Sequence, residues 1–173
     1  MLKHLTYTVS AAFAALILPS AAQAGELFGG LYKHNVNTPL TIGSPEGGVD
    51  VQLGYRWQGI GKTGLQPYAF GALNTAGDTS YAAAGLSYKF GDKLFIRPGV
   101  GIAIHNGSAD DFNRTDRIAF GSRVLFEAEL GIGARINRRT TFEASWVHMS
   151  HAQLFGQQNP GIDNIGARLT LGL

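Results

Sequence analysis

"SRVLFEAELGIGAR", from Ser122 to Arg135, alternates between apolar residues and mostly polar or small ones. One parity holds Val124, Phe126, Ala128, Leu130, Ile132 and Ala134, and the other holds Arg123, Leu125, Glu127, Glu129, Gly131, Gly133 and Arg135. Successive side chains of a β-strand point to opposite faces, so this period of two predicts a strand with one apolar face. The segment is longer than the five or six residues usual for a strand in globular sheets.

The same alternation recurs in "GGVDVQLGYRWQ" (47–58), "KLFIRPGVGIAIH" (93–105) and "DNIGARLTLGL" (163–173). We predict eight strands, at Glu26–His34, Gly48–Gln58, Gly64–Asn74, Thr79–Phe90, Lys93–His105, Phe120–Ile136, Thr140–Ala152 and Ile162–Leu173. Short links ("GIGKT", "GD", "NRR") follow the even-numbered strands, and longer links follow the odd-numbered ones except at "TAGD". Long alternating strands with short turns on one rim are typical of an all-β, eight-stranded antiparallel transmembrane β-barrel. A soluble lipocalin-like barrel shares the alternation, but strand length and export favour the membrane.

Export is predicted by residues 1–24. They combine a basic start at Lys3, an apolar stretch from Ala11 to Leu18 and small residues at 22–24. This layout is that of a secretory signal peptide, with cleavage before Gly25. Residues 25–173 would then form one barrel domain in the outer membrane of a Gram-negative bacterium.

Composition excludes several function classes. The formal charge of +2 falls to +1 without Lys3, and Arg138-Arg139 is the single basic cluster, which argues against nucleic-acid binding. The chain has no cysteine, so disulfides and thiolate zinc sites are excluded. We expect neither a metal nor another cofactor.

Charged residues on the polar parity are expected to fill the lumen, because side chains pack the interior of an eight-stranded barrel. The predicted network of ion pairs and hydrogen bonds consists of Arg56, Arg97, Arg123, Glu127, Glu129, Glu143 and Arg168. Glu127 and Glu129 are close enough in sequence for a paired-carboxylate hydrolase, but a sealed lumen offers a substrate no route. Lumen filling is therefore the favoured interpretation.

"SWVHMSHAQL", from Ser145 to Leu154, carries polar residues on an apolar face. His148 and Ser150 share the parity of Trp146 and point towards lipid, near the rim with the long loops. Asp163 has the outward parity at the loop-side start of the next strand, so a hairpin brings it near them. Serine, histidine and a carboxylate are the components of a hydrolase nucleophile. On spacing alone, polar interfacial residues beside an aromatic belt are the favoured interpretation.

A metal pair of His148 and His151 is disfavoured, because on a strand the two side chains point to opposite faces.

The run from Trp146 to Asp163, "WVHMSHAQLFGQQNPGID", resembles the C-terminal signature of the outer-membrane lipid A 3-O-deacylases, the PagL family. The resemblance implies an eight-stranded barrel with a lipid-facing triad. It assigns Ser150 as nucleophile, His148 as general base and Asp163 as the orienting acid. The family's acid is often Glu, so Asp163 is one methylene shorter.

The resemblance extends to the loop before the acid, where Asn159 and Gly161 match. Donors near His151 and Ala152 would supply the oxyanion site. The family often has Asn directly after the serine, where this chain has His151.

The resemblance therefore predicts a lipid A 3-O-deacylase. It would be a serine esterase that hydrolyses the ester-linked 3-hydroxyacyl chain at the 3-position, in the outer leaflet. Its partners would be lipid A or lipopolysaccharide and the outer-membrane lipids. The calcium-dependent outer-membrane phospholipases also use serine and histidine, but they need a larger barrel than the 149 residues after the predicted signal peptide provide. The alternatives are a non-catalytic small barrel with a structural or surface role, and a soluble lipid-carrying barrel. The sequence is compatible with both a monomer and a homodimer.

Overall fold

The computed structural model describes residues 25–41, 45–110, 116–154 and 159–173, so the predicted signal peptide lies outside the described residues. The strands are β1 (Glu26–Lys33), β2 (Val49–Arg56), β3 (Leu65–Asn74), β4 (Tyr81–Tyr88), β5 (Phe90–Gly91), β6 (Leu94–His105), β7 (Val124–Arg135), β8 (Thr140–Ser150) and β9 (Ile162–Gly172). The two-residue β5 continues β4 past Lys89, and both pair with β6. The nine segments therefore form eight barrel strands. The described residues contain no helix long and apolar enough to cross a membrane.

The sheet closes on itself. β1 pairs antiparallel with β9, from Glu26 opposite Gly172 to Lys33 opposite Ile165. Every other strand pairs with its neighbours along the chain, so each barrel strand has a partner on both edges. Closure satisfies the backbone hydrogen bonds where lipid offers no alternative partners. The predicted eight-stranded antiparallel β-barrel is confirmed.

The outer face of the barrel is apolar. Val100, Ile104 and Ile132 are 67%, 60% and 60% exposed, and similar residues continue around the wall on every long strand. A contiguous exposed surface of this kind would be a liability in water and is what a bilayer requires. The outward parity predicted from the sequence is therefore the lipid-facing one.

The lumen is filled by a charged network. Arg168 donates to Glu129 Oε2 at 2.8 Å and to Glu143 Oε1 at 3.1 Å. Glu127, the second acid on the inward face of β7, accepts the hydroxyl of Tyr68. The network combines the predicted Arg56, Arg97, Glu129, Glu143 and Arg168 with Glu26, which pairs with Arg56 and Arg97. These side chains stabilise one another inside the barrel, as buried charges must.

The prediction that Arg123 belongs to this network is wrong. Arg123 is exposed and donates to the backbone carbonyls of His105 and Gly107. The reason is that β7 begins at Val124 instead of the predicted Phe120. Phe120 lies in the β6–β7 loop, buried against the ring of His105 with 4.4 Å between centroids. Arg123 therefore lies at the loop-side rim, just before β7, and not in the lumen.

A buried charged cluster lies where the β1–β2 loop meets the mouth of the barrel. His34 contacts Asp50 at 2.9 Å through Nδ1 and Glu46 at 3.3 Å through Nε2. Glu46 also accepts the backbone N–H groups of Thr79 and Ile118, at 3.1 and 2.9 Å. One carboxylate thus ties together three loops on the same rim.

This cluster predicts a specific pH dependence of stability. Burial alone lowers the pKa of His34, but hydrogen bonds and negative charge from Asp50 and Glu46 outweigh it and raise the pKa to about 9. Because the folded-state pKa lies above the unfolded value, the stabilisation is complete below about pH 6.5 and is lost as pH rises through about 9. Its size is on the order of 3 kcal/mol, from roughly 1.4 kcal/mol per pKa unit.

The measurement is urea unfolding of the detergent-folded protein at pH 6 and pH 10. His34→Gln should unfold more easily than the wild type at pH 6, and the difference should shrink strongly at pH 10. Lys33→Gln, at the exposed neighbouring position, serves as the control and should follow the wild type. A His34→Gln deficit that stays constant between the two pH values would contradict the charged His34.

Candidate active site

A continuous hydrogen-bonded chain joins Ser150, His148 and Asp163 on the lipid-facing wall. Ser150 Oγ lies 3.1 Å from His148 Nε2, and His148 Nδ1 lies 2.9 Å from Asp163 Oδ1. An ionised carboxylate only accepts hydrogen bonds, so Nδ1 carries the proton and Nε2 is free to accept the serine hydroxyl. The three predicted catalytic residues are thus brought together with the tautomer that base catalysis needs.

Strand geometry explains this convergence. His148 and Ser150 are two residues apart on β8 and therefore point to the same face, with Cα atoms roughly 6.5–7 Å apart. Asp163 is directly opposite His148 in the β8–β9 register. Directly opposed Cβ atoms lie about 4.5–5.5 Å apart, so the short Asp side chain reaches the imidazole.

The carboxylate of Asp163 is fully buried, although it lies on the outer wall. Oδ1 also accepts the indole N–H of Trp146 at 2.8 Å. Oδ2 accepts the hydroxyl of Thr41 at 2.6 Å and that of Thr38. His148 remains 17% exposed in its side chain, with Trp146 stacked beside it at 5.8 Å between ring centroids. The acid is therefore enclosed by its donors, while the base and the serine face outward.

The remaining predicted site residues lie around the end of β8. The strand ends at Ser150, two residues before the predicted Ala152, because Ala152 and Gln153 have φ values of 51° and 61°. The side chain of His151 is fully buried, and its backbone N–H donates to Asn159 Oδ1 at 2.9 Å. The Gly161 N–H in turn donates to the Asn159 carbonyl at 2.9 Å.

Three residues at the site were missed by sequence reasoning. Trp146 was placed on the correct face but interpreted only as part of an aromatic belt. Thr38 and Thr41 lie 125 and 122 positions from Asp163, and no local pattern marks them. The topology could have pointed to these two threonines. Barrel closure places β1 beside β9, so the loop after β1 starts next to Asp163.

Comparison with protein families identifies the chain. The family model described as "Lipid A 3-O-deacylase (PagL)" matches residues 37–171. The chain belongs to the PagL family. It is therefore an outer-membrane ester hydrolase that acts on lipid A as a 3-O-deacylase, and the predicted lipid A 3-O-deacylase activity and outer-membrane location are confirmed. The non-catalytic and soluble alternatives are set aside. No curated protein matches the sequence.

Solved structures support the same fold. The crystal structure of the outer membrane enzyme PagL is 22% identical and covers 88% of this chain and 100% of its own, with a TM-score of 0.57. The crystal structure of Neisserial surface protein A is 11% identical and covers 85% of this chain and 96% of its own, with a TM-score of 0.55. A de novo designed transmembrane β-barrel, 12% identical, covers 87% and 95% with a TM-score of 0.52. At such identities the likeness shows the barrel fold alone.

The close approach of Gly161 to the triad gives a test of the site geometry. A Cβ at this position would lie 2.9 Å from the Met149 carbonyl oxygen, 3.0 Å from His148 Cε1 and 3.2 Å from Ser150 Cβ. Gly161→Ala should therefore displace the His148–Ser150 pair and lower kcat by about 10- to 100-fold without unfolding the barrel. The measurement is the rate of lipid A deacylation in detergent micelles.

Gly47→Ala is the matched control, because an added methyl group there meets nothing within 4 Å. Equal activities of the two variants would contradict the described packing of Gly161.

Proposed function

We propose that Ser150, His148 and Asp163 are the catalytic triad of this lipid A deacylase. The observation that carries the proposal is the unbroken chain from Ser150 Oγ through both ring nitrogens of His148 to Asp163 Oδ1. A serine hydroxyl is a weak nucleophile until a neighbouring base accepts its proton. Asp163 fixes the tautomer of His148 and stabilises the imidazolium that forms during the reaction.

The first half of the reaction transfers the acyl group to the enzyme. Ser150 Oγ attacks the ester carbonyl carbon while its proton passes to His148 Nε2. The tetrahedral intermediate collapses, the bond to the sugar oxygen breaks, and the imidazolium returns the proton to that leaving oxygen. The products are acyl-Ser150 and a free sugar hydroxyl.

The second half regenerates the enzyme. His148 Nε2 takes a proton from water, and the resulting hydroxide attacks the acyl-Ser150 carbonyl. Collapse releases the 3-hydroxy fatty acid and returns the proton from His148 to Ser150 Oγ. His148 thus acts once as base and once as acid in each half, so protons balance over the cycle.

The outward position of the triad suits a substrate that is itself a membrane lipid. Ser150 lies opposite Phe126 and His148 opposite Ala128 in the β7–β8 register, so the nucleophile borders the apolar wall. The acyl chains of lipid A would lie against this wall, with the ester near the loop-side rim. The substrate then reaches the serine without leaving the outer leaflet.

The oxyanion donor that we propose is the side-chain amide of Asn159. Its Oδ1 accepts the backbone N–H of His151, so that N–H is already engaged. The same contact fixes the amide and leaves the Nδ2 hydrogens to donate elsewhere. Gly161 keeps this loop beside Ser150 and His148, while Ala152 forms the turn after the strand. Asn159 would then replace the donor that the family often carries directly after the serine.

The nucleophile is tested by mass spectrometry of lipid A after incubation with the detergent-folded protein. The wild type should remove one hydroxyacyl mass, and Ser150→Ala should be slower by about 10,000-fold or more. Ser145→Ala changes a serine on the same strand that faces the lumen, so its activity should match the wild type. Wild-type turnover by a folded Ser150→Ala variant would rule out Ser150 as nucleophile.

The oxyanion donor is tested by Asn159→Asp, which keeps the acceptor for the His151 N–H and removes the amide donor. We expect kcat to fall by about 100- to 1,000-fold, the usual effect of losing one oxyanion donor. Asn137→Asp makes the same change in the exposed turn before β8, where Asn137 Oδ1 also accepts backbone N–H groups. If both variants kept full kcat, the oxyanion would have to be stabilised by another group.

A further inference from the structure

The acid of the site has no unused acceptor position. A carboxylate offers about four lone-pair sites, two on each oxygen. On Asp163, Oδ1 takes Trp146 Nε1 at 2.8 Å and His148 Nδ1 at 2.9 Å. Oδ2 takes the hydroxyls of Thr38 and Thr41. Half of the hydrogen bonds to this fully buried carboxylate therefore come from a loop outside the β8–β9 hairpin.

The hydroxyl of Thr38 has a defined direction. Its oxygen accepts the backbone N–H of Leu40 at 3.0 Å and that of Thr41 at 3.3 Å. The backbones of Thr38 and Thr41 also bond to each other, at 3.1 and 3.3 Å, which closes a tight turn. With its acceptor side used locally, the Thr38 proton is directed to Asp163. The turn presents the Thr41 hydroxyl to the same carboxylate oxygen.

Barrel closure and the mouth cluster, which consists of His34, Glu46 and Asp50, together hold this turn against β9. Beyond the end of β1, Asn35 N–H donates to Asn164 Oδ1 and Val36 N–H donates to the Asp163 carbonyl, both at 2.8 Å. Immediately before them, His34 is fixed by the buried carboxylates of Asp50 and Glu46. The segment after β1 therefore runs along the start of β9, and its first residue, His34, is held in place by the two carboxylates.

We propose that Thr38 and Thr41 are positioning residues of the deacylase, which hold Asp163 so that Oδ1 stays directed at His148. The proposal rests on the assignment of Asp163 as the acid of the triad. An aspartate carboxylate rotates about its last bond with broad, roughly two-fold preference. Two hydroxyls on Oδ2 stop that rotation and leave Oδ1 to the imidazole. Because Asp163 is shorter than glutamate, a small displacement of its carboxylate would break the contact with Nδ1.

A merely structural loop would behave differently from a positioning one. Loss of loop packing would lower the amount of folded protein or the affinity for lipid A. Loss of positioning lowers kcat at nearly constant KM, since it acts on the proton transfer after the substrate is bound. The effect must also act through Asp163 and disappear when Asp163 is absent.

The experiment measures kcat and KM for lipid A in detergent micelles with Thr38→Val, Thr41→Val and the double variant, per amount of folded barrel. Valine keeps the shape of threonine and removes the hydroxyl. We expect the double variant to lose about 10- to 100-fold in kcat, the scale of a misplaced catalytic group. Thr38→Ser and Thr41→Ser keep the hydroxyls and should recover most of the loss. Thr63→Val is the control, because Thr63 lies in the β2–β3 turn on the opposite rim, where its hydroxyl oxygen likewise accepts the backbone N–H two residues further on, from Leu65, but donates to the Ile60 carbonyl.

Each variant is repeated in an Asp163→Ala background. The valine changes should have no further effect there. Equal additional losses with and without Asp163, or equal losses in the serine and valine variants, would overturn the positioning role. Full kcat in the double valine variant while Asp163→Ala is impaired would overturn this inference alone. Full activity of Asp163→Ala itself would instead remove Asp163 from the proposed triad.

Discussion

The requirement that every backbone N–H and C=O be paired within lipid governs this structure. Eight antiparallel strands meet it by closing, with β1 hydrogen-bonded to β9 along the whole of Glu26–Lys33. Closure leaves the chain two environments, an apolar exterior and a narrow interior. The alternation along each strand distributes side chains between them. The buried arginines and glutamates follow from this, since a lumen too small for bulk water needs charges that neutralise each other.

The same constraint makes a polar site on the outer wall costly, because lipid supplies no hydrogen-bond partners. The protein offsets this cost by burying the carboxylate of the site, Asp163. Asp163 is fully buried beneath Trp146, His148 and the two threonines, and each of its oxygens has two donors. The base and serine then remain at the surface of the wall. A substrate with its acyl chains in the membrane can reach them there.

The loops at the rim that carries the long loops are connected to one another and to the site around Asp163. Glu46 connects His34 with backbone N–H groups of two other loops, while the residues after His34 continue to Asp163. The lumen, the mouth cluster and the site are thus linked through one segment of chain. Asp163 lies directly opposite His148 in the β8–β9 register, so its short side chain reaches the imidazole.

The sequence by itself determined the strands, the barrel and the face on which His148 and Ser150 lie, because a period of two fixes side-chain direction once a strand is assigned. It also placed Asp163 beside them, since a hairpin fixes neighbours within a few residues. It misplaced Arg123, because strand ends depend on which backbone groups find partners and alternation does not mark them. Only the tertiary structure brought Thr38 and Thr41 to Asp163. That contact depends on barrel closure and on the path of a loop, and neither leaves a local pattern in the chain.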